Sequence, residues 1–466
     1  MFGVTVLPEY LQSESVKAVV DNLIDRAGVT AIATSPYVME LADEKTGIRE
    51  PPADAGAGKV RLLDRPLWGK RELWVRTAPS FHPRTDLYQG LRYQPPPPSR
   101  LTDEHGHVVQ QLIEYAHERG IVVYFQVQAA IPPGYRVQFG GPVDDDVPLL
   151  PNGQTPKRRV ANNASLASPE VIRYQQALIR DLLRAYPDID GLRFDWPEYP
   201  PYFLDTAFLD FGPHAERVAE ELGFDFTAMK DQVGQLYDLL NGNLRNEDLD
   251  SLVAPNTVPL LALEVTNRFP AVSDWLQFKS ALSFRLLKTF RAAMDECSTK
   301  RIELAPTAFP PPWSTISGMD FSQNATVCDS LCVKLYGMHW AMMLGFYGEQ
   351  LLANNPNLKE SPLVRALACV FDIADDNPRE TLADYHYPEP DEPHPIGASA
   401  QTRKIQMAQK MAGDTPIVAL AHGYGPLDDF AKRIKIAHDA SDHGFWVNRY
   451  GYLSDEKLDV IGARGN

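Results

Sequence analysis

The sequence predicts an α/β fold, namely a (β/α)8 TIM barrel with long loop insertions. Eight short β-rich runs occur along the 466 residues, and amphipathic helical runs separate most of them. Such alternation implies parallel strands joined by right-handed crossovers. An open doubly wound sheet would instead carry a Gly-rich phosphate loop after its first strand, and the segment LPEYLQSES has no glycine. Because no internal repeat or domain-sized linker is visible, we expect a single domain over residues 1–466.

The first half of the chain supplies four of the predicted strands. Gly28 ends the first predicted helix, Thr102 is the predicted N-cap of the second, and Ser168 and Pro169 open the third. After the fourth strand, residues 204–250 are interpreted as interrupted helix. The strands are predicted over residues 2–7, 29–34, 121–129 and 189–195, and the helices over residues 15–27, 103–119 and from 168 onward.

The second half repeats the same alternation. A long amphipathic helix over residues 273–296 precedes the fifth strand. The remaining strands are predicted over residues 302–309, 330–336, 416–420 and 445–450, and the remaining helices over residues 340–353, 399–411 and 427–440.

Three segments lack a strand or helix period and are predicted to be insertions. Residues 41–100, after strand two, are rich in Pro, Gly and Trp. Structureless length of this kind inside a compact domain is usually functional, and it could form a pocket rim or a partner interface. The other two are loops over about residues 131–167 and 375–397.

Composition and charge narrow the choice of partner. The formal net charge is −16, from 61 acidic and 45 basic residues, which disfavours nucleic acid and anionic membranes because both attract clustered Lys and Arg. No run approaches the roughly 18 apolar residues of a membrane span, and the N-terminus lacks a signal-peptide pattern. We therefore expect a cytoplasmic protein, although a secreted one without its leader would look the same. The sequence is compatible with a homo-oligomer.

We expect neither a metal nor a cofactor. The cysteines form no CxxC pair, and Cys328 and Cys332 would stand about 13 Å apart on a strand, too far for a disulfide. Reduced thiols in a cytoplasmic protein are the simpler interpretation. The acidic run 144–146 is interpreted as a solvated loop rather than a calcium site.

The carboxyl ends of the strands of a barrel converge on one pocket. Amides, hydroxyls and aromatic rings dominate the residues predicted at those ends, and such groups suit a neutral polyhydroxylated ligand. We predict substrate-binding roles for Arg193, Trp196, Tyr37, Gln126, Gln128, Lys334, Tyr336, His422, Trp446, Asn448 and Arg449.

The stretch DIDGLRFDWPEYPPYF, residues 188–203, carries the predicted chemistry. Arg193 and Asp195 share one strand face, and we expect a guanidinium–carboxylate pair that holds Asp195 charged and oriented. Sugar hydrolysis needs a second carboxyl group, kept protonated by a drier setting. Glu198, among aromatic residues, is the predicted acid beside the catalytic Asp195. The fallback candidates are Glu9, Glu303 and Asp320.

Together with the segments ERVAEELGFDF and SDWLQFKSALSFRLLKTFRAAM, this stretch resembles the hypothetical glycoside hydrolase-like barrel proteins. These carry a D-G-x-x-x-D-W strand four and a later W-x-x-F-[KR] helix. The resemblance covers about residues 100–450 and implies a (β/α)8 fold, a glycosidase-type pocket and Asp195 as catalytic carboxylate. The Arg193-x-Asp195 spacing is also similar to the α-amylase type of strand four, whose Asp is the nucleophile. The chain departs from that type because it has no clear Glu at the end of strand five.

The sequence therefore favours a glycoside hydrolase that acts on an oligo- or polysaccharide. One alternative is a catalytically silent barrel that binds carbohydrate. The other is a sugar or sugar-acid lyase or isomerase, with Lys334 and His422 as bases.

Overall fold

The computed structural model describes residues 1–51, 53, 57–136, 140–253, 265–374 and 379–465. Its centre is a closed barrel with eight parallel strand positions, so the predicted fold class is confirmed. The barrel positions are filled, in chain order, by β1 (Phe2–Thr5), β2 (Ala31–Thr34), β6 (Val122–Gln128), β7 (Gly191–Asp195), β8 with β9 (Glu303–Leu304 and Thr307–Ala308), β10 (Leu331–Leu335), β11 (Ile417–His422) and β12 (Phe445–Asn448).

The barrel closes through parallel pairing of its first and last strands. β1 pairs with β12 from Phe2 opposite Phe445 to Thr5 opposite Asn448. β6 pairs with β7, which places Gln128 beside Asp195. Because all strands run parallel, their carboxyl ends meet at one end of the barrel, which we call the mouth.

The fifth strand is split in two. Pro306 has no N–H to donate, so the ladder is interrupted between β8 and β9. Ala305 N still donates to Leu192 O over 3.0 Å, and Pro306 O accepts from Cys332 N over 2.9 Å. The predicted continuous strand over residues 302–309 is therefore replaced by two short ones that keep their neighbours.

Helices surround the barrel. The described residues form helices over Pro8–Glu14, Val16–Ala27, Arg100–His105, His107–Glu118, Pro169–Ala185, Leu204–Ala207, Pro213–Leu222, Phe226–Leu240, Asn246–Val253, Ala271–Cys297, Trp313–Ser317, Phe321–Asn324, Gly337–Asn354, Glu360–Val370, Ala398–Ala412, Leu427–Ala440 and Asp455–Gly465. None of these helices is long and apolar enough to cross a membrane.

Helix starts follow side-chain capping. Ser168 caps the helix from Pro169, as predicted, by accepting from Val171 N. The predicted helix over 103–119 is instead two helices, the first capped by Ser99 rather than by Thr102. The break lies at Gly106, where a Cβ atom would come within 2.4 Å of Ser80 O.

The insertion after strand two contains an antiparallel sheet that its sequence did not predict. Its strands are β3 (Tyr37–Leu41), β4 (Ile48–Glu50) and β5 (Leu73–Pro79), in the order β3-β5-β4. Residues 52 and 54–56 of the insertion lie outside the described residues, as do 137–139 and 375–378 of the two predicted loops.

The insertion is fastened to the barrel mouth by ion pairs, of which those of Arg136 are buried. Arg136, which follows β6, bonds Glu50 of the insertion at 2.5 Å and Glu9 after β1 at 3.1 Å. Arg65 bonds Glu14 at 3.2 Å and donates to Leu453 O at 2.8 Å. The insertion thus packs on the mouth of the barrel.

Candidate active site

Asp195 lies at the carboxyl end of the fourth barrel strand, and its side chain is 13% exposed. Its Oδ1 accepts a hydrogen bond from Thr307 Oγ1 at 2.6 Å and forms an ion pair with Lys334 Nζ. Its Oδ2 lies 3.4 Å from Gln126 Nε2. Three neighbouring strands therefore fix this carboxylate at the mouth.

The prediction of an ion pair between Arg193 and Asp195 is wrong. Among the described residues, the cation within ion-pair distance of Asp195 is Lys334. Arg193 lies deeper in the barrel, where it stacks 3.9 Å above the Trp446 ring and donates to Cys332 Sγ at 3.5 Å. The residues share a strand face as predicted, but the guanidinium occupies the layer below the carboxylate.

Lys334 is almost completely enclosed. Burial lowers the pKa of Lys334, and the Asp195 charge opposes that shift. Its ammonium also lies 4.1 Å from the centroid of the Trp196 ring. Trp196 reaches this position through a φ of +52°, which bulky residues rarely adopt. Asn163 stabilises that turn by donating to Trp196 O at 2.9 Å and to Glu198 O at 2.8 Å.

Glu198 is 0% exposed, and both of its carboxyl oxygens have partners. Phe309 N donates to Oε1 at 2.7 Å, and Ser317 Oγ donates to Oε2. Burial raises the pKa of Glu198 to about 7, against the lowering effect of these hydrogen bonds and of Lys334. The carboxyl group therefore ties down the segment after strand five and can hold a proton near neutral pH.

A buried lysine from the W-x-x-F-[KR] motif supports the same segment. Lys279 Nζ donates to Ala207 O at 2.9 Å and to Ile316 O. It lies 4.6 Å from the Trp275 ring of the same motif. Burial lowers the pKa of Lys279 to about 7. The two motifs named by the resemblance thus meet through the segment after strand five.

The other predicted binding residues lie in four places. Gln126 and Asn448 are partly exposed at the mouth, and Gln128 is buried opposite Asp195. Trp446 is buried inside the barrel against Arg193 and Tyr124, away from the mouth. The rings of Tyr336 and His422 pack edge to face with centroids 5.0 Å apart. Tyr37 accepts a hydrogen bond from Arg136, and Arg449 lies near Tyr37.

Two of the three fallback carboxylates lie away from the barrel mouth. Glu9 is 1% exposed, accepts from Tyr37 OH at 3.2 Å and pairs with Arg136. Glu303 accepts from Tyr124 OH at 2.6 Å at the amino end of the barrel. Asp320 accepts from Ser322 N and Gln323 N as a helix N-cap. Only Glu9 among the three lies at the mouth.

Sequence reasoning missed Arg136, Glu50 and Arg61. Each lies in a segment without strand or helix period, so no regular spacing placed it at the mouth. An isolated charged residue in a Pro-rich loop is most often solvated. The burial of these three to within 6% exposure is visible only in the fold.

The acidic run 144–146 is not the solvated loop that was expected. Asp146 is completely buried and accepts from Tyr93 OH and Arg92 Nη1, each at 2.7 Å. His214 Nε2 lies 3.2 Å from Asp146 and 3.3 Å from Asp145, and these three side chains could together contribute metal ligands. Arg92 already forms ion pairs with both carboxylates, so its guanidinium supplies the positive charge that balances them.

Comparison with known proteins identifies the fold and no family. No family profile matches the chain, and no curated protein matches its sequence. The chain is similar in structure to the glycoside hydrolase domain of PgaB (BpsB) from Bordetella bronchiseptica, with TM-score 0.51 and 14% identity over 99% of this chain and 97% of that one. This likeness shows a glycoside hydrolase-like barrel fold.

Two further structures match at TM-scores of 0.49 and 0.48, both at 10% identity and over the whole of this chain. They are a beta-galactosidase from the psychrophilic Marinomonas ef1, of which 59% is covered, and the beta-amylase catalytic domain from Paenibacillus polymyxa, of which 97% is covered.

Proposed function

We propose that the chain hydrolyses glycosidic bonds of an oligo- or polysaccharide, with Asp195 as its essential carboxylate. The observation that carries this proposal is the partly exposed Asp195 carboxylate at the mouth, fixed by Lys334 and Thr307. The similarity of its fold to that of a glycoside hydrolase domain supports this proposal, although a fold does not by itself assign an activity.

Asp195 would act on the sugar carbon that becomes positively charged as the glycosidic bond breaks. A fixed carboxylate either attacks this carbon or stabilises its charge. Lys334 orients Asp195, and the Trp196 ring, which is 7% exposed and contacts the Lys334 ammonium, borders the site with an apolar surface. The step also needs an acid that protonates the departing oxygen.

Glu198 is proposed as that acid. Its pKa of about 7 leaves it protonated in mildly acidic solution. Since both of its oxygens are bonded, donating the proton to a substrate would require Glu198 to release Ser317. A protonated Glu198 that instead stays in place would only position the segment after strand five.

One observation favours a catalytically silent barrel that binds carbohydrate as the second candidate. Among the described residues, three further carboxyl groups at the mouth are at most 1% exposed: those of Glu9, Glu50 and Glu198. A barrel with one accessible carboxylate can bind a sugar without possessing the acid that hydrolysis needs.

The test is a screen of aryl glycosides and oligosaccharides with the wild type and Asp195→Asn. We expect the substitution to lower kcat by about 10²–10⁴-fold while sugar binding is retained; Tm should fall as well, because the buried Lys334 ammonium loses its carboxylate. Asp320→Asn makes the same chemical change at a surface N-cap and should leave activity unchanged. Equal activity of wild type and Asp195→Asn would contradict the proposal, and binding without turnover in the wild type would favour the silent barrel.

The same screen decides the role of Glu198. Loss of a general acid harms poor leaving groups more than good ones. If Glu198 is the acid, Glu198→Gln keeps most activity on nitrophenyl glycosides and loses it on oligosaccharides. An equal loss on both would identify a positioning role.

A further inference from the structure

Arg61 is a buried cation for which the described part of the chain supplies no acidic partner. It belongs to the insertion and is 2% exposed. Among the described residues it makes no ion pair or hydrogen bond, and its Nε is enclosed without a partner. Its guanidinium instead lies 4.1 Å from the centroid of the Tyr387 ring and 5.9 Å from that of Tyr424.

Such an arrangement is costly for folding alone. A buried charge normally has a counter-ion, because removal from water is repaid only by pairing and hydrogen bonds. Stacking on tyrosine repays part of that cost. The N–H groups of the guanidinium remain free to bind a group from outside the chain.

A second unsatisfied group lies beside the same tyrosine. His394 is 7% exposed, and among the described residues neither ring nitrogen makes a hydrogen bond of good geometry; a weak one to the Tyr424 backbone partly opposes the fall of its pKa. Its ring centroid is 6.1 Å from that of Tyr424. Burial and the nearby Arg433 charge lower the pKa of His394, so its neutral ring offers one donor and one acceptor.

A row of rings leads from this place to the proposed catalytic carboxylate. Successive ring centroids lie 5.8 Å apart from Tyr387 to His339, 5.5 Å from His339 to Tyr202, and 6.1 Å from Tyr202 to Trp196. Trp196 contacts Lys334, the partner of Asp195. Arg61 therefore lies at one end of a row of buried rings whose other end, Trp196, contacts the ion-pair partner of Asp195.

We propose that Arg61 and His394 form a subsite for the carboxylate of an acidic sugar in the glycan that Asp195 would cleave. This inference rests on the proposed function and adds the class of substrate to it. A planar guanidinium matches a carboxylate through two parallel hydrogen bonds, and tyrosine rings accept the apolar face of the sugar that carries it.

The charge of the whole chain limits the number of acidic groups. A net charge of −16 repels a long polyanion, so one carboxylate at a fixed position along the glycan fits better than a uniformly charged polymer. The insertion supplies Arg61, which gives this segment a role in substrate choice.

The first test measures binding without turnover. Sodium glucuronate, glucose and sodium sulfate are added to the full chain at equal ionic strength, and Tm is recorded. We expect glucuronate alone to raise Tm, by about 1–2 °C at about ten times its Kd. Arg61→Met should abolish that rise, whereas Arg71→Met, at an exposed arginine of the same insertion, should keep it.

The stability of the free variants separates a binding role from a structural one. If Arg61 serves a ligand, Arg61→Met removes an uncompensated buried charge, and its Tm without ligand stays equal or rises. A glucuronate response retained in Arg61→Met, or a lower Tm for Arg61→Met without ligand, would identify a structural role and overturn the subsite. A response to sulfate as large as that to glucuronate would also overturn the assignment to an acidic sugar.

The subsite and the catalytic proposal fail separately. Asp195→Asn should retain the glucuronate response, since Asp195 lies at the other end of the ring row. A retained response without turnover in the wild type would sink the hydrolase proposal alone. Hydrolysis of neutral glycosides without any glucuronate response would sink the subsite alone.

Discussion

The partner of Asp195 illustrates what single-strand reasoning leaves out. Arg193 and Asp195 stand about 6.6 Å apart along one strand, the length of two residues. The partner of Asp195 comes from two strands away: Asp195 is in register with Thr307, and Thr307 with Cys332, two residues before Lys334. The long lysine side chain spans that gap. The sequence placed Asp195 at a strand end and Lys334 on strand six, but the stagger that joins them is a property of the closed barrel.

Removal of the Lys334 ammonium should loosen the placement of Asp195. In Lys334→Met the carboxylate keeps Thr307 and Gln126 but loses the cation beside Oδ1, so kcat should fall by about 10²-fold while KM changes little. Lys334→Arg keeps a cation at this position and should retain more of the activity. Measurement of kcat and KM for both variants checks this, and an unchanged kcat in Lys334→Met would exclude the positioning role.

Glu198 should make stability depend on pH. Its pKa is raised from 4.5 to about 7, so between these values the folded chain keeps a proton that the unfolded chain has lost. The free energy of unfolding therefore falls as pH rises from 4.5 to 7, by about 3 kcal/mol at most, and this contribution is constant outside that window.

Glu198→Gln tests this dependence because glutamine does not titrate. Denaturant unfolding of variant and wild type should differ progressively more, in favour of the variant, as pH rises through the window. Glu296→Gln, at an exposed carboxylate, should follow the wild type. Parallel curves for wild type and Glu198→Gln would show that the carboxyl does not change its proton affinity on folding.

At the scale of elements, the antiparallel sheet of the insertion depends on one buried arginine. Arg136 bridges Glu50 of β4 and Glu9 after β1, and its side chain is 7% exposed. Burial raises the pKa of Glu50 against the opposing effect of Arg136. Because the three groups come from separate segments, the bridge holds the insertion on the barrel mouth.

Loss of this bridge should be costly. Arg136→Met leaves two buried carboxylates without their cation and should reduce the free energy of unfolding by about 3–5 kcal/mol. Adding Glu50→Gln should recover part of the loss. Arg285→Met removes an exposed pair with Glu221 and should cost at most about 1 kcal/mol. Chemical denaturation measures all three, and an equally small loss for Arg136→Met would show that the bridge is solvated.

At the scale of the whole molecule, strand–helix alternation was enough to predict the barrel. Each of the eight predicted strand runs overlaps a strand of the barrel. A buried parallel strand is a short, nearly continuous apolar run, and such a run is visible in the sequence. The sheet of the insertion escaped detection because β4 has three residues and β5 is separated from it by irregular chain. The segments that shape the mouth are therefore the ones that periodicity describes least.

The pairing of β1 with β12 has a consequence for biosynthesis. Phe2 leaves the ribosome hundreds of residues before its neighbour Phe445, so the nascent chain carries an incomplete sheet with an unprotected strand on either side. Contacts this distant in sequence form late and slowly. Throughout translation the emerging polypeptide is thus open to mispairing with other chains, and chaperone shielding matters until the final strand has been released.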